Sequence, residues 1–199
     1  MPSDDGVAGE FRTSGRLFRR CWLRQSFCVS RSVFCGSTVP VKPKKSWREK
    51  LADDKGLPKI GRVEGGMIRR WGEGTMVIPA PREVDALMRR VPRGKVTTIN
   101  ELRAALARKH GVDFACPITT GIFSWIAANA AAEDSARGRK RITPYWRTLK
   151  AGGELNPKYP GGIDGIRKHL RAEGHKIVKR GKRVFVADAR RVTIEPRPL

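Results

Sequence analysis

The chain has 199 residues, enough for one compact domain with extensions and too few for two comfortable ones. Its formal net charge is +23 and its pI is about 11, a balance that calls for a polyanionic partner. No apolar run approaches the roughly 20 residues that span a bilayer, so nucleic acid is favoured over a membrane, although charge alone does not separate DNA from RNA. Cys21, Cys28 and Cys35 all lie near the N-terminus and Cys116 stands apart, which excludes a disulfide scaffold distributed through a core. The spacing of seven between the first three matches no common zinc pattern, and His110, His169 and His175 are scattered. No metal and no cofactor are expected.

Residues 1–40 differ in composition from the rest. Between Phe11 and Arg48 there is no Asp or Glu, while Arg, Ser, Cys and Phe recur. Such a segment reads either as an organellar transit-like peptide or as a non-native extension upstream of the true start, disordered under both readings. Residues 41–78 read as a basic arm or linker. It contains a short helix capped by Ser46, a stretch rich in Gly and charge from Gly56 to Gly74, and a short strand at Thr75–Ile78. Trp47 and Trp71 give this arm a means of docking on the domain that follows.

That domain is expected over 79–191, with 192–199 as a tail. Val84, Leu87, Met88 and Val91 recur at helical spacing, and Pro92-Arg93-Gly94-Lys95 forms a turn. Thr98 and Glu101 have capping-box form and open a helix with Ile99, Leu102 and Leu106 on one face, ending near His110-Gly111. Pro117 at a first helical position starts a second helix that runs to about Ala132. Ile118, Ile122, Trp125, Ile126 and Asn129 line one side of it, and the small residues Thr120, Ser124, Ala127 and Ala131 line another.

A small-residue face suits close packing against another helix or close approach to a duplex, and the charge of the flanking segments favours the duplex. Further on, Gly161-Gly162 opens a helix with Ile163, Ile166 and Leu170 inward, stopped by Gly174. Lys176–Val186 reads as a hairpin turning at Arg180-Gly181. The fold class is therefore mostly α with a small β hairpin, in a winged helix-turn-helix-like domain. Its expected DNA contacts are Thr119, Thr120 and Ser124 on the second helix, Arg139, Lys140, Arg141 and Arg147 beyond it, and Lys179, Arg180 and Lys182 at the hairpin tip.

Several of these segments, in this order, carry a resemblance. Val91-Pro92-Arg93-Gly94-Lys95-Val96-Thr97-Thr98, Asn129, Pro144 with Arg147, Tyr159 with Gly161-Gly162, and Glu173-Gly174 together resemble the DNA-binding, active-site domain of the alkylguanine-DNA alkyltransferases. The likeness spans roughly Ile78 to Asp188. Where that family has PCHRV, this chain has Pro144-Tyr145-Trp146-Arg147-Thr148, so the acceptor cysteine falls on Tyr145 and the activating histidine on Trp146. The family's arginine finger falls on Thr120 and its phosphate-rotating tyrosine on Ile99.

A phenol with an unperturbed pKa near 10 and an indole that only donates cannot replace a thiolate and its base. Suicide alkyl transfer is excluded on these residues, and Tyr145, Trp146 and Glu173 form a degenerate site. The resemblance implies an alkyltransferase-like, non-catalytic protein that binds double-stranded DNA and works with excision-repair proteins, with Tyr145, Trp146, Tyr159 and Asn129 around a base pocket. The alternative is a winged-helix architectural or regulatory protein whose pocket is filled by its own aromatics. A third reading is an enzyme using Cys116 or Tyr145 as nucleophile. A monomer is expected, in the cytoplasm or on the nucleoid, or in an organelle if residues 1–40 are genuine.

Overall fold

The computed structural model describes residues 44–197; residues 1–43, and with them the extension read at 1–40, lie outside the described residues, as do 198–199. Ser46 caps α1 (Trp47–Ala52): its hydroxyl accepts from the Glu49 amide, and the Glu49 carboxylate accepts from the Ser46 amide. β1 (Lys59–Arg62) and the short α2 (Ile68–Trp71) lead to β2 (Thr75–Ile78). Pro81 then occupies the first turn of α3 (Pro81–Arg89), where its missing amide hydrogen costs nothing. β3 (Thr97–Thr98) runs directly into α4 (Ile99–His110), which Gly111 closes in the left-handed region at φ 62°. Thr98 accepts from the Asn100 amide and donates to Glu101, so Glu101 bonds the hydroxyl of Thr98 rather than its amide.

β4 (Phe114–Ala115) and α5 (Pro117–Ala136) follow, α5 running one turn beyond the expected Ala132. β5 (Thr148–Leu149) leads to α6 (Gly162–Ala172), then to the hairpin β6 (Ile177–Arg180) and β7 (Arg183–Val186), and to α7 (Ala189–Val192). The molecule is mostly helical with small sheets, as expected. The order β1-β2-β4 forms one sheet, with β1 antiparallel and β4 parallel to β2; β3 and β5 pair in parallel over two residues each. These two-residue pairings carry no alternation in the sequence and were not among the expected strands.

The segment expected as an arm or linker is folded onto the helices. The Trp47 ring meets Trp125 of α5 edge to face at 4.6 Å, Arg48 pairs with Asp134, and Arg82 of α3 donates to the Ala52 carbonyl. β1 and β2 continue this docking through the sheet. Val84, Leu87, Met88 and Val91 are all buried, as are Leu102, Leu106, Ile166 and Leu170. Their burial stabilises the fold by about 1.5–3 kcal/mol per large side chain.

α5 lies at the centre, packed by α1, α3 and α4. Its small residues Thr120, Ser124, Ala127 and Ala131 are buried. Small side chains allow backbones to come close, so this face serves helix packing and not the duplex. Ile118, Ile122 and Trp125, on the other side, are exposed.

Candidate functional site

The residues around Glu173 are brought together from three places in the chain. The Pro92–Lys95 turn presents the Gly94 amide, which donates to Glu173 at 3.3 Å. The 3-10 turn Tyr145–Arg147 presents Trp146 and Arg147, and α6 ends at Glu173. Its entry is tied down by Thr143, whose hydroxyl donates to the buried Asp85 of α3 at 2.6 Å. Arg147 grips both carboxylate oxygens of Glu173 through Nε and Nη2 at 2.8–3.0 Å, and its Nη1 donates to the Val91 carbonyl at 2.6 Å. The Trp146 indole N–H donates to Glu173 at 2.8 Å. His169 stacks on the Trp146 ring at 4.2 Å.

The aromatic side of the cluster is closed. Tyr145 meets Trp146 at 5.4 Å and Tyr159 at 6.0 Å, both edge to face. Tyr145 is 7% exposed and Tyr159 3% exposed. The Tyr145 hydroxyl donates to the Pro160 carbonyl at 3.4 Å, the long end of the range. The loop that holds Tyr159 is fixed at Gly161, which sits at φ 76° and against which a Cβ would approach the Gly165 backbone to 3.2 Å. The rings of Tyr145, Trp146 and Tyr159 pack against one another.

The electrostatics follow from this packing. Burial works to raise the Glu173 pKa, but hydrogen bonds from Arg147, Trp146 and the Gly94 amide outweigh it and hold the carboxyl below its usual range. Burial pushes the Tyr145 phenol up, and the Tyr159 phenol up against opposing hydrogen bonds from Ser124 and Asn156. Burial also depresses His169 and His175, with Glu173 pulling each the other way. A phenol with a raised pKa beside a donor-only indole supplies neither nucleophile nor base at neutral pH. The Trp146 N–H points at Glu173, so this contact is a structural brace without proton transfer.

Three of the expected DNA contacts are corrected. Arg147 is 13% exposed on its side chain and locked to Glu173, so it braces the interior and is not offered to a phosphate. The Thr120 hydroxyl donates to the Cys116 carbonyl within the core, and the Ser124 hydroxyl donates to the Gly121 carbonyl. Neither is on the surface, because their face of α5 is the packing face. Thr119 is half-buried. Arg139, Lys140 and Arg141 are exposed just past the end of α5, with Arg139 leaning on Asp134 at 3.6 Å. Lys179, Arg180 and Lys182 are exposed at the hairpin.

Of the four residues assigned to a base pocket, Tyr145, Trp146 and Tyr159 form one cluster. Asn129 instead returns its amide to the Trp125 carbonyl of its own helix at 2.8 Å. Ile99, where a tyrosine was expected from the resemblance, packs half-buried against the core. Cys116 is buried at the start of α5 and its carbonyl accepts from Thr120, a packing position away from Tyr145. Among the described residues no group of His, Cys, Asp or Glu has the makings of a metal site, and no helix is long and apolar enough to cross a membrane.

The sequence marked the apolar side of α5 and the basic arm, but not that the first stays exposed at Ile118 and Ile122 or that the second forms a groove with α5. The absence of any charged residue between Pro117 and Ala132, in a chain of +23, was a readable signal for the first. Comparison with known proteins gives little more. No family model and no curated protein sequence matches the chain. Among solved structures, S. pombe Atl1 in complex with damaged DNA containing O6-carboxymethylguanine is similar at 17% identity and a TM-score of 0.42, over 58% of this chain and 94% of that one. S. pombe ATL in complex with DNA is similar at 18% identity and 0.43 over the same shares. Neither likeness identifies a family for this chain.

Proposed function

We propose that this chain is a non-catalytic, double-stranded DNA-binding protein of alkyltransferase-like build. The reading rests on one conjunction: the place where the sequence resemblance puts the reactive pair is a closed brace, Tyr145-Trp146 on Glu173 and Arg147, while the basic segments remain exposed. Under this reading 79–191 is the DNA-binding unit, the β6–β7 hairpin is its wing, and Arg139, Lys140, Arg141, Lys179, Arg180 and Lys182 meet phosphates. The log of the affinity for duplex should fall linearly with the log of salt concentration, by about 0.9 per phosphate neutralised. A flat salt response would count against DNA as the partner.

Recognition of an alkylated base, with hand-over to excision-repair proteins, is the finer reading. It requires room beside Tyr145, and therefore displacement of Tyr159 and the loop around it, on top of the few kcal/mol that unstacking a base costs. The packed aromatics favour binding without base extrusion. Two measurements on one duplex divide the readings. Duplex carrying radiolabelled methyl groups on guanine should leave no covalent label on the protein. Equal affinity for that duplex and its unmodified twin supports plain DNA binding, and a clear preference for the modified one supports lesion recognition.

A further inference from the structure

α5 presents its exposed strip without a single charged side chain from Pro117 to Ala132, and the first charges it carries, Glu133 and Asp134, are acidic. Any phosphate that comes alongside this helix must be met by a neighbouring element. The neighbour is the arm. Between α1 and α5 lies a groove of about 390 Å³ whose floor is apolar, made by Phe123 and Ile126 of α5 with Leu57 and Pro81. Its rim carries Lys44, Lys45, Lys50 and Lys55 against one carboxylate, Asp53. Asp53 is taken by Lys45 at 2.6 Å, and the Lys50 ammonium sits 4.0 Å above the Trp47 ring. Lys44 and Lys55 form no direct ion pair among the described residues, although the Lys55 charge and backbone amide also favour the Asp53 carboxylate.

An apolar floor under a cationic rim matches a sugar–phosphate backbone, in which apolar deoxyribose alternates with anionic phosphate. A small hydrophobic ligand would not need the lysines, and an inorganic anion would not need the floor. The arm is held firmly enough to present these charges: Trp47 on Trp125, Arg48 on Asp134, and Arg82 on both the Ala52 carbonyl and Asp54. We propose that the groove between α1 and α5 seats one strand of duplex DNA, with Lys44 and Lys55 on successive phosphates and α5 supplying the apolar contact. The proposal rests on the DNA-binding reading and adds to it a site shared between α5 and the arm that precedes the domain carrying the resemblance.

The test is the salt dependence of duplex binding by the full chain and by Lys44→Gln/Lys55→Asn. Asn is used at 55 because Lys55 lies at φ 48°, a conformation Asn tolerates. The variant is expected to lose affinity evenly across DNA sequences and to show a log–log slope shallower by about 1.8, two contacts at about 0.9 each. Steep binding by the parent with an unchanged slope in the variant would overturn the groove and leave DNA binding standing. Absence of duplex binding by the parent overturns both.

Two further outcomes also overturn it. One is an equal loss of slope in Lys168→Ala/Arg171→Ala, which removes the same charge from exposed positions on α6 and would make the effect one of net charge. The other is sedimentation of the parent as a dimer that Lys44→Gln/Lys55→Asn dissociates, which would assign the groove to a second copy of the chain.

Discussion

Around Glu173, polar groups are paired and aromatic rings fill the space between them; along the outward side of α5, Ile118 and Ile122 stand about half exposed with nothing described over them. The first region has the makings of a reactive centre and is used as a brace. The second has no reactive group and is left open. The contrast teaches that the presence of an acid, an arginine and two aromatics says little about chemistry until their partners are known. An arginine forked onto one carboxylate is spent within the fold. An isoleucine facing solvent in a chain of this charge is the more informative surface.

The contrast is broken most directly at the brace. Glu173→Ala leaves Arg147 buried without its carboxylate and the Trp146 N–H without an acceptor, so a loss of about 3–5 kcal/mol is expected. At roughly 2–4 °C per kcal/mol for a chain of this size, thermal melting reads it easily. A loss below about 1 kcal/mol would mean that water already reaches the ion pair. Next, Ala127→Leu forces four-carbon bulk onto the packing face of α5 and should cost about 1–3 kcal/mol in urea unfolding. An unaffected midpoint would show that the small face has room, and would return it to consideration as a surface.

A gentler effect is expected from pH. His175 is buried with Nε2 unpaired, faced by the carboxylate of Glu173 and the guanidinium of Arg147, and both it and His169 have folded-state pKa values below the usual 6.5. Below pH 6.5 the unfolded chain takes up protons that the folded chain refuses. Stability should therefore be full above that value and decline as pH falls toward the folded-state values. Glu173, also depressed, adds a further loss below about pH 4.5. Urea midpoints for the parent and His175→Asn should converge on acidification; parallel curves would remove His175 from the account. Smallest of all, Ile122→Ser on the open side should change stability by no more than about 0.5 kcal/mol. A larger loss would show that Ile122 packs against something.

Much of the fold was legible because its signals are local. Pro117 at a helix start, Ser46 as a cap, and Gly111 and Gly174 after helix ends all act within one turn, and the structure uses each of them. The 3.6-residue spacing of Val84, Leu87, Met88 and Val91 likewise fixed an inward face. What the sequence hid was long-range. Whether Thr120 and Ser124 face a duplex or a helix depends on what lies on that side, and α3, α4 and the arm supply the answer.

Arg147 looked available because its partner is 26 residues away. That Tyr145 and Trp146 stand where the resemblance would put a reactive pair was plain in the sequence. That the Trp146 N–H would still find Glu173 was not, since it requires both ring orientation and the position where α6 ends. The Asn129 contact was hidden for a simpler reason: an amide on a helix surface can bond back to the carbonyl four residues earlier, here that of Trp125.

β7 of the hairpin is stitched to the chain just beyond the brace. Leu155 donates its amide to the Val184 carbonyl at 2.8 Å, Glu154 pairs with Phe185, and a Cβ at Gly153 would come within 2.5 Å of the Ala189 methyl, so no gap separates α7 from that turn. β5, at Thr148–Leu149, lies only a few residues upstream. The hairpin is thus held along β7 by Glu154 and Leu155. The basic tip is therefore tied directly to the stretch of chain that follows Tyr145 and Trp146, with the Arg183 guanidinium 3.9 Å from the Glu154 carboxylate.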